Sequence, residues 1–169
     1  MIQIYTGNGK GKTTAAIGLG IRAIGHGYKV LMVQFMKGEE VYGEIKALKK
    51  IPNFDVYQFG LKTFVKKGDL RKEEIEIAKK GLDFAQEKIK SKEYFLVILD
   101  EINVAIDYGL IPLKDVIDLI KNCPKEVELV LTGRYCPKEL YDYADLISEI
   151  NEIKHPFQKG IFNRRGIDY

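Results

Sequence analysis

At 169 residues, with 46% hydrophobic and 30% charged side chains, the chain has the make-up of one ordinary globular domain. A net charge of +3, from 27 basic and 24 acidic residues, is too small and too evenly spread to make a nucleic-acid track. Cys123 and Cys136 lack metal-ligand spacing and read as free thiols, and no apolar run approaches the ~20 residues of a membrane span.

Met1-Ile2-Gln3-Ile4-Tyr5 enters a glycine-rich segment directly, without a signal peptide, so a cytoplasmic protein is expected. A first strand at 2–5 leads through the glycines into a helix from Thr13 to about Gly25. A second strand covers 28–35, apolar enough in its middle to be buried on both faces, and a short helix near 44–50 precedes a third strand at 54–59. After Asp69, Ile75, Ala78, Leu82, Ala85 and Ile89 recur at spacings of three and four and predict one helical stripe. The run Arg71-Lys72-Glu73-Glu74 then reads as its solvated start. Residues 94–99 form an apolar, central strand, and Pro112 opens a helix with Leu113, Val116, Ile117 and Ile120 inward. A strand at 127–131, a helical stretch at 137–144 and a last strand at 146–153 precede a basic tail. No linker or repeat interrupts this alternation. It predicts an α/β fold over 1–169, a single P-loop NTPase (RecA-like) domain with a mostly parallel sheet of about six strands flanked by helices.

Three segments carry chemistry. Gly7-Asn8-Gly9-Lys10-Gly11-Lys12-Thr13-Thr14, between a strand and a helix, fits the phosphate-binding loop G-x-x-x-x-G-K-[ST] except that Thr6 stands at the first glycine. Backbone N–H groups of such a loop, the positive end of the helix dipole and Lys12 all suit the phosphates of ATP, and the Thr13 hydroxyl suits a magnesium ion. Asp100 and Glu101 end the central strand where that ion would sit, so one or the other holds the metal, directly or through water. Arg134 ends the fifth strand on the same edge and can neutralise phosphate charge. Arg22, on the loop's own helix among apolar neighbours, either reaches the nucleotide or pairs with a carboxylate. His155-Pro156-Phe157 and Arg164-Arg165 carry no reading of their own. These features serve an ATPase, a motor or a nucleotide-dependent switch as well as a transferase.

The chain also resembles the P-loop type of ATP:corrinoid adenosyltransferase, or cob(I)alamin adenosyltransferase, along essentially its whole length. The resemblance runs through Thr6-Gly7-Asn8-Gly9-Lys10-Gly11-Lys12-Thr13-Thr14-Ala15-Ala16, Arg22-Ala23-Ile24-Gly25-His26-Gly27 and Gln34-Phe35-Met36-Lys37-Gly38 with Gly43-Glu44. It continues in Leu99-Asp100-Glu101, Leu131-Thr132-Gly133-Arg134, Ala144 to Glu149, Lys154-His155-Pro156-Phe157 and Arg165-Gly166-Ile167-Asp168-Tyr169. It implies that the Co(I) of a reduced corrinoid attacks the ribose 5′-carbon of ATP and releases triphosphate. It also implies a nucleotide reversed in the loop, and a magnesium or manganese ion between Thr13 and Glu101. A flavodoxin- or flavin-type reductant, a homodimer and a place in cobalamin biosynthesis are implied too. Bacterial members carry an N-terminal extension that covers the site, whereas this chain starts at the first strand. Their aromatic loop G-x-G-F-x-W aligns with 60–65, which puts Phe64 and Val65 on the corrinoid side; this chain has no tryptophan.

Overall fold

The computed structural model describes residues 1–38, 42–63, 65–161 and 164–168. Six strands form one sheet: β1 (Ile2–Thr6), β2 (Val30–Phe35), β3 (Phe54–Phe59), β4 (Leu96–Asp100), β5 (Glu128–Thr132) and β6 (Leu146–Glu149). Their order is β3-β2-β4-β5-β1-β6 and every pairing is parallel. Parallel pairing requires crossovers, supplied by α1 (Lys12–Gly25), α2 (Gly43–Leu48), α3 (Lys72–Ser91), α4 (Ile102–Tyr108) and α5 (Leu113–Lys121).

The twofold alternation of strand side chains separates two apolar layers. Ile4, Leu31, Val33, Phe35, Val97, Leu99, Leu129 and Leu131 face one side, against Ala78, Leu82, Ala85 and Ile89 of α3, Ile102 and Ala105 of α4, and Val116, Leu119 and Ile120 of α5. Val30, Met32, Leu96, Ile98 and Val130 face the other, against Ala16 and Ala23 of α1 and Leu48 of α2. The registers Gln34↔Asp100, Leu99↔Leu131 and Tyr5↔Thr132 bring the polar ends of β1, β2, β4 and β5 to one edge. Ligands of open α/β sheets bind at this carboxyl edge.

Several boundaries differ from the sequence reading. β4 begins at Leu96; Tyr94 before it hydrogen-bonds Asp55 at 2.7 Å, and Phe95 stacks on Tyr28 with ring centroids 4.0 Å apart. In α3 the predicted stripe loses its first member, because Ile75 is 39% exposed while Glu74 is 5% exposed. The Glu74 carboxylate accepts the Arg71 backbone N–H at 2.9 Å and its guanidinium at 2.6 Å, so this part of the charge run is a helix cap rather than a solvated face. α4 has no counterpart in the sequence reading. The expected helix at 137–144 is a 3-10 helix, Lys138–Tyr143, and β6 stops after 4 residues. Among the described residues no helix is long and apolar enough to cross a membrane.

Gly81 sits in α3 where a Cβ would come 2.8 Å from Phe59 Cβ. Gly81→Ala gains about 1 kcal/mol of helix propensity, but overpacking against the packed side chains of Phe59 and Phe35 costs about 1–3 kcal/mol. A net loss of stability is expected in urea unfolding at unchanged m-value; a gain would mean that α3 can shift away from β3.

Candidate active site

The loop after β1 is shaped by its glycines and by the chain beyond β6. Gly7 and Gly11 adopt φ of 94° and 122°, which side-chain-bearing residues rarely reach. Gly9 donates its N–H to Ile150 O at 2.7 Å, and a Cβ there would lie 2.8 Å from the Asn151 backbone. The early end of β6 frees 150–151 for this packing. Thr6, at the position of the pattern's first glycine, is not among the residues with positive φ, so no glycine is required there. α1 opens at Lys12 with no side-chain cap, which leaves its dipole facing the loop. Lys12 is buried, and its Nζ arches over the loop to Gly7 O at 2.7 Å and Gly9 O at 2.6 Å. Burial, followed by the charge of Arg134, lowers its pKa.

The acidic pair divides into two environments. Asp100 is wholly buried under donors from several elements. Its Oδ1 accepts the hydroxyls of Thr13 and Thr132, each at 2.7 Å; Oδ2 accepts the Gln34 amide at 3.0 Å and the Lys37 ammonium at 2.9 Å. Burial alone would raise its pKa, but the Lys37 charge and these hydrogen bonds prevail and hold it below the ordinary range. For Lys37 burial also opposes the charge, and the Asp100 carboxylate outweighs it, raising the pKa. Glu101 turns out of the strand through a left-handed φ of 62° and donates its N–H to Thr132 Oγ1 at 3.1 Å. That turn brings its carboxyl to the cleft, where burial, and then the neighbouring Asp100 charge, raise its pKa. Gly133 leaves room for it, since a Cβ there would lie 3.3 Å from Glu101 Oε2.

A cleft of about 740 Å³ collects Gly9, Lys10, Gly11, Lys12, Thr13, Thr14, Glu101 and Arg134 from the expected site. Gly7 and Asn8 belong to the same loop, and Asp100 lies beneath the cleft. Arg22 is not brought to it: it is exposed on α1, ten residues past Lys12, which is about 15 Å along the helix axis. Val65 is likewise absent from the lining and packs against the larger apolar layer. Phe64, and Tyr169 at the end of the matched string, lie outside the described residues. The sequence reading missed Lys37 and Tyr42 in the wall, and His155, Phe157 and Ile167 from the chain after β6. In that segment Asp168 pairs with Lys10, whose Nζ also donates to Ile167 O at 2.6 Å. One signal was available: Gln34 is a polar residue inside an otherwise apolar central strand, where an unpartnered amide would be costly.

The oxygen donors Thr13 and Glu101, with Asp100 behind them, suit a hard cation such as magnesium, which commonly takes one or two carboxylates and completes its shell with phosphate oxygens and water. Because the Thr13 hydroxyl donates its proton to Asp100, its lone pairs remain available to such an ion.

Residues 1–169 match the family described as ATP:corrinoid adenosyltransferase BtuR/CobO/CobP. The corrinoid adenosyltransferase of Escherichia coli (strain K12) is 34% identical over 169 residues, covering 100% of this chain and 85% of that protein. The corrinoid adenosyltransferase of a Sinorhizobium species is 37% identical over 173 residues, covering 100% of this chain and 80% of that protein. Corrinoid adenosyltransferase CobA of Salmonella typhimurium is 34% identical, with coverage of 100% and 85%.

The raised pKa of Glu101 carries a stability prediction. The folded state keeps its proton to higher pH than the unfolded chain, so stability falls as pH rises from the ordinary Glu value, about 4.3, through the raised folded value. Each unit of displacement is worth about 1.4 kcal/mol. Glu101→Gln should flatten the pH dependence over that interval and make the protein more stable than the parent above it. Urea midpoints in a metal chelator across the acid-to-neutral range check this, and parallel curves would refute it.

Proposed function

Because the chain belongs to the ATP:corrinoid adenosyltransferase family, we propose that its glycine loop grips the triphosphate of ATP as a leaving group while the ribose 5′-carbon faces the corrinoid. The enzyme is a transferase that adenosylates corrinoids. What supports the gripping role is the convergence of Lys10, Lys12 and Arg134 with Thr13 and Glu101 on a single cleft.

In the transfer step the Co(I) electron pair attacks the 5′-carbon, a cobalt–carbon bond forms, and the carbon–oxygen bond breaks. Its electrons leave on the triphosphate. So strong a nucleophile needs no side-chain base, and the protein's task is positioning and charge stabilisation. Lys12 exchanges the carbonyls of Gly7 and Gly9 for phosphate oxygens, which offer a charged acceptor in place of neutral ones. The loop N–H groups and the start of α1 add fixed positive potential. Thr13 and Glu101 would hold a magnesium or manganese ion, which when bound neutralises charge on the triphosphate. Asp100 acts through Thr13, orienting its hydroxyl.

The same reading puts the enzyme in the cytoplasm, a setting in which free thiols such as Cys123 and Cys136 persist. There a flavodoxin- or flavin-type reductant supplies the electron, and the working unit is a homodimer.

Mixing the protein anaerobically with Mg-ATP and chemically reduced cobalamin should consume the Co(I) absorbance and yield a light-sensitive alkylcobalamin and triphosphate. Orthophosphate release with an unchanged corrinoid spectrum would overturn the reading in favour of an ATPase. Lys12→Ala should lower turnover by about a hundredfold or more, the scale of losing one preorganised donor to a developing charge.

A further inference from the structure

Lys37 is a cleft cation that the glycine loop does not explain. It follows β2 and lines the cleft although its side chain is only 15% exposed. Its Nζ lies 2.9 Å from Asp100 Oδ2 and 5.2 Å from the centroid of the Tyr42 ring, another lining residue. Thr13 Oγ1 occupies the other oxygen of the same carboxylate. Lys37 is thus held within reach of whatever Thr13 faces.

The backbone that delivers Lys37 is tightly constrained. Met36, just before it, adopts a left-handed φ of 61°, which a residue with a long side chain rarely does. Gly38, just after it, presses on the backbone of Gly60, and Gly60 in turn presses on the backbone of Lys37, so neither glycine has room for a side chain. Strain of this kind persists where the surroundings over-determine it, and it gathers at ligand clamps.

Neutralising Asp100 does not account for this arrangement, because a cation placed away from the cleft would neutralise it equally well. Of the other cleft cations, Lys10 is engaged by Asp168 and Arg134 is exposed at the rim. Among the described residues, Lys12 and Lys37 are the two held under cover beside Thr13. Bonding to Asp100 uses one of the three N–H donors of an ammonium, and a compact charge on a four-carbon stem can turn toward a second acceptor.

From this geometry we infer that Lys37 is a further triphosphate-binding residue, meeting phosphate oxygens from the side opposite the loop and stabilising the charge that the leaving group gains. The inference rests on the proposed grip of the loop on triphosphate. Shielding from water makes such a charge-assisted contact stronger than it would be on the surface.

The test uses inorganic tripolyphosphate as the probe, by calorimetric titration of the full chain in a chelator, so that neither metal nor turnover enters. Lys37→Met should weaken binding tenfold or more, and Lys37→Arg should stay within a few-fold of the parent. Since Lys37→Met leaves Asp100 without its cation, the pair Asp100→Asn and Asp100→Asn with Lys37→Met repeats the comparison in a neutral setting. The same tenfold loss between those two supports a contact with phosphate. Equal affinities for them would overturn it and reduce Lys37 to a counter-charge. Binding that is lost in Lys12→Ala but unchanged in Lys37→Met would overturn this inference and leave the loop's role standing. A parent protein that fails to bind the probe would overturn both.

Discussion

The buried carboxylate of Asp100 is the constraint on which the rest of the site depends. An isolated charge without access to water would be prohibitively costly, and it is tolerated only when every lone pair finds a donor. Here the donors come from different elements: Thr13 from α1, Thr132 from β5, Gln34 from β2 and Lys37 from the turn after β2. Satisfying one carboxylate therefore sets the relative positions of the glycine loop, the central strands and the cleft wall. Gln34 is itself held by the amide of Gln58 on β3 at 3.1 Å, which extends the network toward the edge of the sheet.

From that centre the neighbouring groups acquire distinct characters. Asp100, surrounded by donors, stays ionised; Glu101, one residue on and turned through a left-handed backbone, sits beside that negative charge and resists ionising. Adjacent carboxylates whose environments push their pKa values apart take different tasks. One organises hydroxyls and amides beneath the cleft, and the other faces what enters it. The glycine loop is supported independently, by the backbone of 150–151 packed against Gly7 and Gly9. Both supports act by fixing positive groups and hydroxyls in place. That suits the proposed transfer, whose nucleophile needs no activation and whose leaving group is a polyanion.

The differences between sequence pattern and structure have local causes. Periodicity alone made Ile75 the first inward residue of α3, but the cap formed by Arg71 and Glu74 sets the helix start and buries the acid instead. The left-handed turn at Glu101 starts α4 with no cap residue or proline to announce it. β6 reads as a longer strand because Ile150 and Ile153 continue its apolar positions, yet the backbone of 150–151 is drawn off to line the glycine loop. Arg22, whose apolar neighbours in sequence left it open to the nucleotide or to a carboxylate, stands on the exposed face of α1 outside the cleft lining.

The succession of the six strands along the chain, the glycine loop and the acidic pair after β4 were legible from the sequence alone, because each depends on residues adjacent in the chain. The family was legible for the same reason: its motifs are short strings met in order. Tertiary structure alone decided which acid is buried and which faces the cleft, that Lys37 and Gln34 serve Asp100, and that the chain after β6 returns to wall the site. These follow from hydrogen bonds between residues far apart in sequence, such as Thr13 with Asp100 at a separation of 87 and Lys37 with Asp100 at 63. No local spacing encodes such pairs. They arise only when parallel strands in register carry their polar ends to one edge and a buried charge must be satisfied there.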